Sequence, residues 1–299
     1  MDRLGSMAVF VKAADLGSFT AAAEATGLSA TMVGKHVQFL EGRLGVRLLN
    51  RTTRRQSLTE FGRAYYDRCR LILEEAEAAD ALASEHLNVP HGTLRITMPA
   101  LLGRLCAAPL LYELALRTPS LRLDLHFDDH IVDLAADGFD LSIRTGEVAD
   151  RVGLTMRRLG SHRMLVCAAP GYLAAHGAPG DLEALGGHRA VTYARSGWHA
   201  GWRFGDGAGG VLEVAPPAGM RLSDLAAVTD AAVAGAGLAW LPAWLARPHL
   251  ASGALVEVLT AQPGYRFDNY AVWPQAHRLP LKVRVTLDLL AAALPGRLE

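Results

Sequence analysis

The sequence predicts a multidomain α/β protein with an N-terminal winged helix-turn-helix, a long linker helix and a larger C-terminal α/β domain. Three observations predict this class. Helical hydrophobic spacing dominates residues 1–58, an uninterrupted stretch without Gly or Pro follows at about 63–88, and strand-like and helical segments alternate beyond residue 92. The length of 299 residues agrees, because single cores tend to split beyond roughly 250–300 residues.

The charges divide the chain into the same three segments, although 30 basic and 30 acidic residues cancel overall. Residues 1–58 carry 8 basic and 4 acidic side chains, residues 59–91 carry 3 and 7, and residues 92–299 carry 19 of each. The predicted domains are therefore a basic head at 1–58, a linker helix with hinge at 59–91 and a neutral domain at 92–299. Net neutrality predicts no general attraction to nucleic acids or membranes.

The cysteines and apolar runs predict a cytoplasmic protein with no membrane partner. Cys69, Cys106 and Cys167 are odd in number and far apart, which fits a reducing compartment and buried thiols. A thiol redox switch is the alternative. No apolar signal core follows the N-terminus, and the longest run without charged residues or histidine, 231–246, is shorter than the ~20 residues of a membrane span.

Three helices are predicted at the N-terminus. Apolar residues recur at helical spacing from Leu4 to Ala14, and Gly17 ends this first helix. Ser18 and Ser29 are natural N-caps for a second helix through Thr26 and a third helix to about Glu41.

The junction of the second and third helices has the spacing of a helix-turn-helix. Small Ala23 lets the helices approach, Gly27 supplies the left-handed turn residue, and Val33 packs the third helix onto the second. Val37 and Leu40 continue the inward face of the third helix.

A basic hairpin is predicted next, with strands near Val46–Leu49 and Gln56–Leu58 around a turn at 50–55. An arginine-tipped wing beside a helix-turn-helix suits DNA, with the third helix in the major groove and the arginines on phosphates or the minor groove. The alternative is a small helical bundle with a solvated hairpin. The arginines on or beside the hairpin are Arg43, Arg47, Arg51, Arg54 and Arg55.

A helix capped by Thr59 is predicted to continue to Asn88, roughly 40 Å in length. Its single apolar seam favours dimerisation, while packing against its own C-terminal domain is the alternative. Pro90 and Gly92 mark a linker. The seam consists of Tyr65, Cys69, Ile72, Ala76, Ala79, Ala83 and Leu87.

The last two hundred residues predict α/β units around mainly parallel sheets, in which ligands sit beyond the carboxyl ends of strands. Strand-to-helix junctions at 97–101 and 222–224 are candidate anion sites, with simple helix capping by Ser223 and Asp224 as the alternative. The predicted strands are Leu94–Met98, Leu121–Phe127, Leu141–Arg144, Met164–Ala169, Ala190–Tyr193, Leu238–Leu241 and Tyr270–Trp273, and the predicted helices are Leu101–Arg117, Ile131–Ala136, Leu225–Ala234 and Leu281–Leu294.

Three further patterns are given structural interpretations. The glycines at 205–210 match a dinucleotide motif, but a strand-like run follows them, so a hairpin turn is expected. The alternating Asp124, His126, Asp128 and His130 suggest either a metal site or a polar strand face. Trp198, His199, Trp202 and Phe204 suggest an aromatic core cluster. We find no nucleophile elbow, zinc motif or phosphate loop, so neither an enzyme nor a cofactor is predicted.

Four stretches in order resemble the LysR-type transcriptional regulators. Residues 17–62 read G-S-F-T-A-A-A-E-A-T-G-L-S-A-T-M-V-G-K-H-V-Q-F-L-E-G-R-L-G-V-R-L-L-N-R-T-T-R-R-Q-S-L-T-E-F-G. G-T-L-R-I-T at 92–97, D-G-F-D-L-S-I-R-T-G at 137–146 and V-A-G-A-G-L-A-W-L-P at 233–242 extend the likeness over nearly the whole chain.

The resemblance implies a DNA-binding regulator controlled by a small molecule. Its C-terminal domain would be a two-lobed effector domain similar to type 2 periplasmic binding proteins, with lobe I at 92–162 and 269–299 and lobe II at 163–268. The chain would cross between lobes near Ser161-His162 and Phe267-Asp268-Asn269. Implied partners are double-stranded DNA, an effector between the lobes, RNA polymerase, and further copies of the chain in a dimer or homotetramer.

The resemblance also implies site residues. Gly34 and Ala30 depart from common family residues in the recognition helix, and Pro99-Ala100-Leu101-Leu102 lacks a hydroxyl that often holds an effector carboxylate. The implied effector is therefore a carboxylate held elsewhere or a more apolar metabolite. The DNA contacts would be Ser18, Thr20, Ser29, Thr31, Met32, Lys35, Arg51 and Arg54, and the cleft would be lined by Ala100, Leu101, Leu102, Arg144, Thr145, Gly146, Tyr193, Ser223 and Pro242.

The expected function is therefore sequence-specific transcriptional regulation under the control of an effector. Two other classes remain as alternatives. One is a ligand-binding protein whose N-terminal domain contacts proteins instead of DNA, and the other is an α/β enzyme.

Overall fold

The computed structural model describes residues 2–51, 56–87, 89–147, 152–194, 201–276 and 278–299. The chain forms two compact units, Met1–Asn88 and Val89–Glu299.

The first unit has the predicted helix-turn-helix and hairpin. Ser18 and Ser29 cap the second and third helices by accepting N–H bonds from Ala21 and Met32. Left-handed Gly27, with φ of 68°, makes the turn between them. The elements are α1 (Arg3–Leu16), α2 (Phe19–Thr26), α3 (Ala30–Leu44), β1 (Leu49–Arg51), β2 (Gln56–Leu58) and α4 (Glu60–Leu87).

The third helix continues beyond its predicted end at Glu41. Gly42 is accommodated inside the helix, and the helix stops one turn later at Gly45, which has a φ of 71°. The first hairpin strand correspondingly starts at Leu49 instead of Val46, which is 41% exposed.

The core of the first unit lies between α1, α3 and the start of α4. Val33, Val37 and Leu40 are completely buried, as predicted. Leu4, the first apolar residue of the helical spacing in α1, is 42% exposed. Cys69 of α4 is buried in the same core, so the N-terminal part of the linker helix packs on the helix-turn-helix.

Helix α4 begins after Thr59, whose Oγ1 accepts the Gly62 N–H at 2.8 Å. Further along the predicted seam, Ile72 is 41% exposed, and Leu71 beside it is 50% exposed. The described helices include none with the length and apolarity required to cross a membrane.

The second unit alternates strands and helices. They are β3 (Gly92–Met98), α5 (Ala100–Leu102), a π-helical turn (Gly103–Ala107), α6 (Ala108–Arg117), β4 (Leu121–Phe127), β5 (Leu141–Thr145), β6 (Leu154–Ala168), α7 (Pro170–His176), a 3-10 helix (Glu183–Gly187), β7 (Ala190–Tyr193), β8 (Trp202–Gly205), β9 (Val211–Val214), β10 (Ala218–Leu222), α8 (Leu225–Val233), β11 (Leu238–Pro242), α9 (Ala243–Ala251), β12 (Val256–Val258), β13 (Arg266–Pro274), α10 (Leu281–Ala293) and α11 (Pro295–Leu298).

The main sheet follows the order β10-β7-β11-β6-β13-β5-β3-β4, with β12 also paired to β6. Its outer pairs are parallel, whereas β11, β6, β13 and β5 pair antiparallel in the centre. The expectation of mainly parallel sheets therefore holds only away from the centre.

Strand β6 divides the sheet into two halves. Its residues 154–163 pair with β13, and residues 164–168 pair with β11 and β12. We call β4, β3, β5, β13 and the first part of β6 the first half-sheet. The second half-sheet comprises β10, β7, β11, β12 and the remainder of β6.

The predicted helix at Ile131–Ala136 is wrong, because residues 131–133 are irregular and residues 134–138 form a turn. The Asp133 carboxylate accepts the N–H groups of Ala135 and Ala136, both at 3.1 Å. Such local side-chain bonds compete with helical hydrogen bonding.

The predicted helix at Leu101–Arg117 is present but contains the π-helical turn. Pro109 has no N–H to donate, and a wider turn beside it accommodates this loss. Gly103 lies close to β3, since a Cβ there would sit 2.3 Å from Met98 Cγ.

The glycines at 205–210 connect β8 to β9 as a hairpin, as predicted. Trp202 and Phe204 of β8 are each 3% exposed and lie in a core cluster. The other two members of the predicted aromatic cluster, Trp198 and His199, fall outside the described residues.

Candidate functional site

The start of α3 presents an open polar surface. Thr31 and Lys35 are exposed and Met32 is half-buried. Ser29 is exposed although its Oγ accepts the Met32 N–H at 3.2 Å, so its hydroxyl proton can be donated outward. On α2, Thr20 is exposed and Ser18 is half-buried.

Two side chains of α3 that the sequence did not single out fix its position. Ser6 donates its hydroxyl proton to Asp2 O at 2.6 Å, so His36 Nδ1 must donate to Ser6 Oγ at 3.0 Å. Glu41 Oε1 accepts the N–H groups of Leu48 at 2.9 Å and Leu49 at 3.3 Å. These bonds attach the third helix to α1 and to the first strand of the hairpin.

The hairpin is an antiparallel pair in which Leu49 is opposite Leu58 and Arg51 is opposite Gln56. Arg51 therefore ends the first strand beside the tip of the hairpin. Arg54, which was predicted in the turn, falls outside the described residues.

In the second unit, three residues meet where β3 gives way to α5. The Ala100 N–H donates to Asp129 Oδ1 at 3.3 Å, and the Tyr193 hydroxyl donates to Asp129 Oδ2 at 3.4 Å. Ala100 and Tyr193 were predicted cleft residues, and Asp129 joins them. Apart from its place after a predicted strand, nothing in the sequence marks Asp129 as a site residue.

The other predicted cleft residues are distributed around this point. Leu101 and Arg144 are half-buried, and Ser223 is exposed just before the cap of α8. Asp224 is that cap, since it accepts the Ala227 N–H at 2.8 Å. Leu102, at 2% exposure, belongs to the core.

The remaining predicted cleft residues lie on strands of the two half-sheets. Gly146 follows β5 with a φ of 84°, and its N–H donates to Asp268 O at 2.8 Å. Pro242 is buried at the end of β11, paired with Met164.

A polar network with a buried centre, His162 and Asn269, and an exposed end, Thr145, lies where β6 passes from one half-sheet to the other beside β13. Thr145 Oγ1 donates to Asn269 Oδ1 at 2.7 Å, and Asn269 Nδ2 donates to His162 Nδ1 at 3.0 Å. Burial lowers the pKa of His162 to about 4, with a smaller contribution from the Arg266 charge. The imidazole is consequently neutral and accepts through Nδ1.

The alternating acids and histidines of β4 and the following turn pair with one another. His126 Nε2 lies 2.9 Å from Asp124 Oδ1, and His130 Nδ1 lies 2.7 Å from Asp128 Oδ1. Asp124 also accepts from Arg95 Nε at 2.9 Å. Within the described ranges, no three His, Cys, Asp or Glu side chains form a metal-ligand group.

The three cysteines are buried. Burial raises the pKa of the Cys106 thiol to about 11 and that of Cys167 to about 12, and it also raises the pKa of Cys69. The thiolate is the reactive form, so these pKa values argue against the thiol switch.

A surface depression of about 500 Å³ lies between the start of α7 and the end of α8, lined by residues including Tyr172, His176 and Val233. None of the predicted cleft residues lines it. The depression is therefore separate from the junction at Asp129.

The two units define a class of protein. A winged helix-turn-helix with an open, polar recognition helix is a DNA-binding module, and a two-part α/β sheet with strand ends meeting at one junction is typical of ligand-binding domains.

Family models and relatives agree with this class. Residues 4–63 match the model described as bacterial regulatory helix-turn-helix protein, lysR family, and residues 88–295 match the LysR substrate binding domain. An HTH-type transcriptional regulator of Xanthomonas campestris pv. campestris is 37% identical over 295 residues, covering 97% of this chain and 85% of the relative.

Solved structures agree over the full length. CrgA, a LysR-type transcriptional regulator from Neisseria meningitidis, has a TM-score of 0.61 at 32% identity, covering 97% of this chain and 98% of that chain. The Vibrio cholerae virulence activator AphB has a TM-score of 0.62 at 25% identity, covering 98% and 100%. The chain belongs to the LysR family of transcriptional regulators, with a helix-turn-helix DNA-binding domain and an effector-binding domain.

Proposed function

We propose that this regulator reads DNA through the start of α3 and the wing, under the control of a small molecule held between two lobes. The open polar surface of α3, capped by Ser29 and carrying exposed Thr31 and Lys35, is the observation that supports the DNA contacts. Ser18, Thr20, Arg51 and Arg54 would hold phosphates, while Ser29, Thr31, Met32 and Lys35 would face the groove.

The proposed effector site lies where the first half-sheet faces the second. The lobes would be 92–162 with 269–299, and 163–268, because β6 crosses between the half-sheets next to His162, and β13 pairs with β5 only from Asn269 onward. The lining would be Ala100, Leu101, Leu102, Arg144, Thr145, Gly146, Tyr193, Ser223 and Pro242. The ligand would be an apolar metabolite or a carboxylate held away from Ala100, since this helix start has no hydroxyl and its Ala100 N–H already donates to Asp129.

Assembly and location complete the proposal. The exposed Leu71 and Ile72 on α4 support pairing with a second copy through the linker helix, and two such dimers would form a homotetramer. Such an assembly, acting on promoter DNA, would work in the cytoplasm and contact RNA polymerase.

Gel-shift titrations at several salt concentrations test the DNA contacts, using DNA from upstream of the protein's own gene and random DNA. Arg54→Ala should weaken binding to both DNAs and reduce the slope of log K against log salt by about 0.9, the value of one phosphate contact. Lys35→Ala should cost about 1–3 kcal/mol on the specific DNA and less on random DNA.

Arg122→Ala is the matched control, because it removes the same charge from an exposed position of the second unit. Equal losses on both DNAs for Lys35→Ala would contradict its groove role. An Arg54 variant that behaves like the Arg122 variant would contradict the wing contact. A wild-type chain without salt-sensitive DNA affinity would favour protein contacts for the first unit.

A further inference from the structure

Asp129 connects the two half-sheets at the proposed effector site. It follows β4 and is half-buried. One carboxylate oxygen accepts the Ala100 N–H at 3.3 Å, at the carboxyl end of β3 in the first half-sheet. The other oxygen accepts the Tyr193 hydroxyl at 3.4 Å, at the end of β7 in the second half-sheet.

The geometry suits a contact that forms and breaks. Both bonds are long, so each is modest even though the acceptor is a carboxylate. The Ala100 bond stays within the first half-sheet and holds the carboxylate in place, whereas the Tyr193 bond spans 64 residues and joins the halves. Arg203 of the β8–β9 hairpin also lies 3.8 Å from Glu147, which follows β5, but Glu147 is 92% exposed and solvent screens the pair.

Building on the proposed function, we propose that Asp129 is a latch that holds the cleft closed without effector and that the effector must displace the Tyr193 hydroxyl from it. An ionised carboxylate only accepts hydrogen bonds, so the displacing group is a donor, such as a hydroxyl or an ammonium group. An effector that also carries a carboxylate would direct that carboxylate away from Asp129, because like charges repel.

Hydrogen–deuterium exchange of the full chain, read by mass spectrometry, tests the latch without an effector. Tyr193→Phe removes only the hydroxyl. It should raise exchange about fivefold in peptides from both cleft walls, 98–103 and 190–194, as expected for the loss of one typical hydrogen bond. The matched control is Tyr270→Phe, since Tyr270 donates to Asp268 at 3.3 Å within a single strand.

Unchanged exchange in Tyr193→Phe, or the same exchange as in Tyr270→Phe, would overturn the latch. Asp129→Ala adds a second check, because it removes both bonds and should open both walls. Faster exchange confined to 98–103 in that variant would show that Asp129 only caps α5, which also overturns the proposal. Salt-sensitive DNA binding by the wild-type sample is measured in parallel, so failure of the DNA-binding function is scored separately.

Discussion

Gly62 is the position where a single methyl group should have the largest effect on the first unit. A Cβ there would lie 2.0 Å from Leu48 O and 2.9 Å from Thr59 Oγ1. Leu48 O is a backbone atom that accepts the Thr59 N–H at 3.0 Å, so it cannot move without disturbing the junction of wing and linker helix. We therefore expect Gly62→Ala to break this junction.

The expected magnitude follows from three contributions. Overpacking against backbone costs about 1–3 kcal/mol, and losing the Thr59–Leu48 bond costs about 1 kcal/mol. The higher helix propensity of alanine returns about 1 kcal/mol. The net loss is about 1–3 kcal/mol. Gly42 in α3 has no neighbouring atom within 4 Å of a built Cβ, so Gly42→Ala should stabilise the unit by about 0.5–1 kcal/mol.

Urea unfolding separates this effect from the second unit. The 5 tryptophans all lie between residues 198 and 273, so their fluorescence reports the second unit, while far-UV circular dichroism also includes the helices of the first. Gly62→Ala should shift the dichroism transition to lower urea and leave the fluorescence transition in place. A Gly62 variant as stable as the Gly42 variant would refute the steric argument.

Two further predictions concern the second unit, and tryptophan fluorescence in urea measures both. His162 has a folded pKa of about 4 against an ordinary 6.5, so the unfolded chain binds a proton that the folded chain excludes. The free energy of unfolding of the second unit should fall by up to about 3 kcal/mol as the pH drops from 6.5 to 4. His162→Gln should reduce this pH dependence, and a variant with the same pH dependence as the wild type would contradict the prediction. Lys282 Nζ lies 2.9 Å from Asp140 Oδ1 with side chains 16% and 24% exposed, so Lys282→Ala should cost about 1–2 kcal/mol. Exposed Arg284→Ala should cost nothing measurable, and equal effects would argue that the Lys282 pair contributes little.

Local chemistry explains which features were predictable from sequence. Serine caps at Ser18 and Ser29 and the left-handed Gly27 depend on neighbours within a few residues, so their positions could be read directly. The same reasoning failed at Ile131–Ala136, where Asp133 supplies a competing local bond that hydrophobic spacing does not reveal.

Long-range contacts explain what the sequence did not reveal. Asp129 meets Tyr193 across 64 residues, and Thr145 meets Asn269 across 124. Nothing in the spacing of either pair indicates contact. The antiparallel centre of the sheet was missed for the same reason. Strand β13 pairs antiparallel with β6, which lies about a hundred residues earlier in the chain, and local sequence does not indicate that pairing.

The pairing of β13 with β6 also determines the order in which the parts of the chain can finish folding during synthesis. The winged domain needs no residue beyond α4, and the second half-sheet is complete once β12 has paired with β6. In the first half-sheet β5 can pair with β3 early, but its second partner, β13, emerges much later. Leu290, Leu294 and Leu298, all at 0% exposure, then seal its core. During synthesis the N-terminal DNA-binding domain could therefore fold well before the effector-binding domain is complete. Regulation by an effector would require the final thirty-odd residues, from β13 onward.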